Sequence, residues 1–128
     1  MDAKHLAARL IYGGFFLYNG INHFRNRQQL AGYTASKNVP MPEAAVTISG
    51  AMLTFGGASL ILGLKPKLGA AAIMAFLASA SPLMHNFWVH EDPMQRQNEL
   101  IHFAKNMALL GAGLAFMSLD DAPDSLVE

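Results

Sequence analysis

The sequence predicts an all-α protein, a polytopic membrane four-helix bundle, and three observations carry that prediction. Residues 44–64 and 68–90 are runs of 21 and 23 positions without Asp, Glu, Lys or Arg. A spanning helix needs about 20 mostly apolar residues. Charged residues make up only 14% of the chain, where soluble domains average about 25%. Between the two long runs stands only "KPK", a link so short that it forces antiparallel neighbours.

The first helix is expected over residues 6–24. Its uncharged core, residues 10–24, is 15 long and follows Arg9, so it spans only if an ionisable residue is tolerated near one end. Its continuation into Asn22, His23, Arg25 and Arg27 lacks the small-residue cleavage site of a signal peptide. Arg9 is expected to snorkel, its stem in apolar surroundings and its head among lipid headgroups. The segment "RNRQQLAGYTASKNVPMP" reads either as a short helix lying in the interface or as a solvated loop with one helical turn. "VPMP" is expected to be extended, because residues before proline avoid the right-handed helical region.

The second helix is expected over residues 43–64, with Pro42 suited to its first turn and Gly63 to its end. The third is expected over residues 68–89, kinked near its end by Pro82. The fourth is expected over residues 98–119, its last 14 positions uncharged. Residues 120–128 form an acidic, proline-containing tail with little to bury, which should fray. Small residues recur every fourth position: Ala71, Ala75 and Ser79 on one helix, Ala104, Ala108 and Ala112 on another. In lipid such ridges let backbones approach closely, and Gly13, Gly14, Gly50, Gly56, Gly57, Gly111 and Gly113 fit the same account. A soluble bundle would instead need a polar face on every helix, which the second and third lack.

Function classes narrow quickly. Net charge is zero with no basic block, so nucleic acid is not an expected partner. The chain has no cysteine, which removes thiol chemistry and thiolate metal sites. It also has no phosphate-binding loop, no nucleophile elbow and no carboxylate expected deep within a span. No residue is named as catalytic.

The four-helix topology gathers polar residues at one membrane face. His23 closes the first helix, His85 nears the end of the third, and His102 opens the fourth with Lys105 and Asn106 about one turn further on. Trp88, the only tryptophan, suits the interfacial aromatic belt. Glu99 and His102, and likewise His102 and Asn106, are spaced to share a helix face. Three readings of the cluster His23, His85, Trp88, His102, Lys105 and Asn106 stand open. The side chains cap helices and bond across them. Or they form a small-molecule site, such as a quinone headgroup pocket or a proton relay, with Lys105 the strongest candidate because ionisable residues in spans are costly. Or the three histidines hold a metal, although no pairwise spacing is a recognised ligand motif.

Several stretches in order resemble the DoxX family of small bacterial four-helix membrane proteins: "ARLIYGGFFLYNGINHF", "GYTASKNVPMPEAAVTISG", "GGASLILGLKPKLGAAAIMAFL", "HNFW" and "ELIHFAKNMALLGAGL". They run from residue 8 to about 116. The resemblance implies a bacterial inner-membrane protein with a redox-adjacent role, since the family name comes from subunits linked to quinol oxidation and thiosulfate:quinone oxidoreduction. His23, His85, Trp88, Lys105 and Asn106 fall in the family's motifs without bringing a catalytic role.

The expectation is therefore a multi-pass protein of the bacterial cytoplasmic membrane, an accessory or quinone-associated component of a membrane redox system. Its partners would be the lipid bilayer and other membrane or redox proteins. The alternative is a non-catalytic structural subunit packed against a larger membrane complex. Basic residues are balanced between the two faces, and only the "KPK" turn tips the N- and C-termini toward the cytoplasm.

Overall fold

The computed structural model describes residues 3–120, and the structure is helical with no strand among them. The acidic tail from residue 121 lies outside the described residues. Five α-helices follow in order: α1 (Ala3–Arg25), α2 (Arg27–Ser36), α3 (Pro42–Leu62), α4 (Pro66–Met84) and α5 (Pro93–Asp120), with a short 3-10 turn over Phe87–Val89 before α5. Three helical stretches are long and apolar enough to cross a membrane: Pro42–Leu62, Pro66–Val89 and Pro93–Ser118. At 23 residues α1 has the length, but Arg9, Asn19, Asn22 and His23 make it less apolar.

Glycines determine where the long helices meet. A Cβ on Gly57 would stand 2.6 Å from the Gly13 carbonyl oxygen, and one on Gly13 would stand 2.9 Å from that of Gly57. Gly20 faces the Gly50 carbonyl in the same way, so α1 and α3 run antiparallel at backbone contact along their length. Gly56 and Gly69 repeat the arrangement between α3 and α4. Such close approach replaces the hydrophobic drive that lipid removes. Around these seams Phe16, Leu53, Leu60, Ile73 and Leu77 form a buried core. Tyr12 joins α1 to α5 by donating to the Leu109 carbonyl at 2.6 Å and packing against Phe116.

Several expectations change. Arg9 does not reach outward; it is 4% exposed, and its Nε donates to the Leu60 carbonyl at 2.8 Å. The carbonyls at a helix C-terminus lack intrahelical partners and carry negative partial charge, so a cation there is stabilised. The alanine ridges are not the internal seams: Ala75, Ser79, Ala104 and Ala108 are exposed, and an added Cβ at Gly14 or Gly111 would meet nothing within 4 Å. α4 ends at Met84 rather than residue 89, within a turn of Pro82, whose ring conflicts with the preceding turn. α5 begins at Pro93 rather than 98, because proline suits a first helical position and Asp92 Oδ2 accepts the Gln95 N–H at 2.9 Å.

The ambiguous first loop forms the ten-residue helix α2, packed on α3 through buried Ala31 and Thr34. Met41 takes a left-handed conformation (φ 50°) where an extended lead-in was expected, as does Asn38 (φ 62°). Together they fold α2 back toward the start of α3.

Candidate functional site

At the end of the bundle opposite "KPK", α4 and the start of α3 draw apart and leave a cavity of about 370 Å³. Its wall is mainly apolar, with Val46 and Met52 from α3, Phe76 and Leu83 from α4, and Leu30 and Val39 from the α2 region. The polar side chains in the wall include His23 from α1, His85 at the end of α4 and Asn106 from α5. The volume lies within the range of small-molecule pockets, which are mostly apolar with a few placed polar groups.

Each polar side chain is set by its element. His23 stands one turn after Asn19, and its Nδ1–H donates to the Asn19 carbonyl at 2.7 Å while Phe76 packs edge-on against its ring. Asn106 is buried, 7% exposed, on the inner face of α5. His85 lies where α4 stops, and its Nδ1 is 3.3 Å from Glu99 Oε1. The imidazole of His102 stacks on that of His85, centroids 4.9 Å apart at 22°.

Glu99 is the centre of this arrangement. It is 7% exposed and lies six residues into α5, about 9 Å along the helix. Beside His85 it accepts through Oε2 from Lys37 of the α2–α3 connection, and His90 Nε2 is 3.8 Å from that same oxygen. Glu99 thus stands within the first two turns of α5, in a helical stretch apolar enough to cross a membrane. A charge in such a segment is costly unless paired and hydrogen-bonded, and Lys37 and His85 supply the pairing. Its i+3 spacing to His102 was the local signal available. Lys37 had none, because it meets Glu99 only through the tertiary fold.

The structure brings His23, His85 and Asn106 to one cavity and sets His102 beside His85. It does not bring Lys105 there. Lys105 is exposed and lines a separate groove between α1 and α5 with Tyr12, Phe15 and Leu109. Trp88 is half-exposed and packs with Phe87 against Phe103 of α5, centroids 5.2 to 5.9 Å apart, pinning the 3-10 corner. Among the described residues, no group of three His, Asp or Glu side chains is arranged to hold a metal ion.

Residues 5–90 match the DoxX family model. No curated protein and no solved structure matches the chain. The match runs from α1 through the His85–Trp88 corner and stops before α5, leaving Glu99, His102, Lys105 and Asn106 outside it. With more than half of its length matched and three helices fit to cross a bilayer, this membrane protein belongs to the DoxX family.

Proposed function

We propose that this protein binds the headgroup of a membrane quinone in the α3–α4 cavity, as an accessory component of a redox system in the bacterial cytoplasmic membrane. The supporting observation is the cavity itself: an apolar chamber of about 370 Å³ whose wall carries His23, His85 and Asn106. A quinone ring and its isoprenoid tail would lie against Met52, Phe76 and Leu83, with polar side chains near the oxygens. In this reading α1 is a fourth crossing, Arg9 being buried against α3 rather than turned to lipid, and the termini and the "KPK" turn face the cytoplasm.

The test is to extract the protein in native lipid without detergent exchange and quantify the quinone that accompanies it. Roughly one quinone per chain in the wild type, lost from His85→Ala at unchanged helicity, would support the reading. A quinone content equal to that of the bulk lipid would end it.

A second reading has its own observation. The face carrying Ala104, Ala108 and Gly111 is exposed and open, the surface a structural subunit would turn to a neighbouring helix. It predicts that Ala108→Leu disrupts a larger assembly while leaving quinone content unchanged.

A further inference from the structure

We infer that the groove between α1 and α5 holds one acyl chain of an anionic phospholipid, with Lys105 paired to the phosphate of its headgroup. This groove is separate from the α3–α4 cavity and owes nothing to the quinone reading. The helices form an open arc: α1 packs on α3, α3 on α4 and α4 on α5. α1 and α5 meet mainly where Tyr12 bonds to Leu109 and where Tyr12 and His5 pack on Phe116. Beside those contacts lies a groove of about 520 Å³, walled by Ile11 and Phe15 of α1 and by Leu109 and Phe116 of α5. Among the described residues Lys105 is the one charged side chain in its wall, and no carboxylate pairs with it. A cation on a membrane-crossing helix is costly without a counter-charge.

The dimensions and polarity of the groove fit that occupant. α5 enters the membrane at the rim where Glu99 stands, and Lys105 lies six residues further on, about 9 Å deeper. Helical side chains lean toward the helix N-terminus, so the lysine stem carries its ammonium back toward the rim and the headgroups there. From Lys105 the groove follows α5 for eleven residues to Phe116, about 16 Å. One leaflet of hydrocarbon is about 15 Å deep, half of the bilayer core. A lipid whose phosphate sits on Lys105 therefore has apolar wall beside its chain over the whole depth of its leaflet. The volume of about 520 Å³ is slender beside a spanning helix, which is about 10 Å across and 30 Å long. A second copy docked symmetrically on this face would bring two Lys105 cations to one interface, and Glu99 is already held by Lys37.

The experiment is native mass spectrometry of the full-length protein in detergent, titrated with phosphatidylglycerol or with phosphatidylcholine of the same chains. The wild type should keep one phosphatidylglycerol per chain and hold it about fivefold more tightly than phosphatidylcholine, the effect of one lysine at an anionic lipid surface. Lys105→Met should remove that preference and Lys105→Arg should keep it, both at unchanged helicity. Arg27→Gln, which removes an exposed cation at the start of α2, should leave the preference as it is. Ala8→Phe, which fills part of the groove from α1, should weaken both lipids alike. Equal binding of the two lipids, a preference that survives in Lys105→Met, or a chain dimer in place of bound lipid would overturn the inference.

Discussion

The α3–α4 pair is closed at one end and open at the other. Toward "KPK", Gly56 and Gly69 bring the backbones together, and Leu60 and Ile73 between them are fully buried. Toward the other end the same two helices present Ser49 and Met52 against Phe76 and Ala80, side chains that keep them apart around the cavity. The polar groups divide likewise. Arg9 closes the end of α3, its Nε bonded to the Leu60 carbonyl, whereas Lys37, His85 and Glu99 tie α2, the end of α4 and α5 into a rim beside the cavity. Glycine placement decides where these helices touch, and the ion cluster holds the end where they do not.

Glycine placement can be broken most severely at the α1–α3 seam. A Cβ on Gly57 would stand 2.5 Å from the Leu17 backbone nitrogen and 2.6 Å from the Gly13 oxygen, and neither backbone atom can swing aside. Gly57→Ala should cost about 3 kcal/mol, the upper range for overpacking, read as a lower unfolding midpoint in detergent. Gly111→Ala, with open space around it, should leave that midpoint unchanged or slightly raised. Equal effects at the two positions would remove the glycine seam from the account.

Next in size is the rim. Glu99→Gln leaves Lys37 in a largely buried place without its counter-charge, which should cost about 2 kcal/mol and loosen α2, seen as faster protease cleavage between α2 and α3. Lys37→Met should be milder, since Glu99 keeps His85. Arg9→Met comes after these: it orphans the Leu60 carbonyl but keeps most of the packed stem, for about 1 to 2 kcal/mol. The smallest effect is expected at Ala108→Leu, on the exposed face, within about 0.5 kcal/mol for the isolated chain.

Much of the fold was legible because lipid imposes it. The charge-free runs marked α3 and α4, and Gly63 with Pro66 marked the turn between them, since a spanning backbone must satisfy itself as a helix. Of the site, His23, His85 and Asn106 were legible from topology, which places the ends of α1 and α4 and the start of α5 at one face. The rest depended on facts no local pattern holds. Arg9 meets a carbonyl 51 positions away and Lys37 a carboxylate 62 positions away. The every-fourth-residue alanines were read as seams, but periodicity says that a face exists and not which neighbour it meets. Lys105 and Asn106 are adjacent in sequence, yet successive helix residues point in different directions, so one reaches the cavity wall and the other the α1–α5 groove.

The most direct measurement fills the cavity and leaves its rim intact. Ala80 lines the chamber on α4, and Ala80→Phe would occupy it without touching Glu99, Lys37 or His85. The protein would be isolated in native lipid beside the wild type, with helicity and unfolding midpoint measured on both. If the cavity is the ligand site, the variant stays folded and loses the quinone that the wild type carries. A folded Ala80→Phe protein that keeps the wild-type quinone content would contradict it.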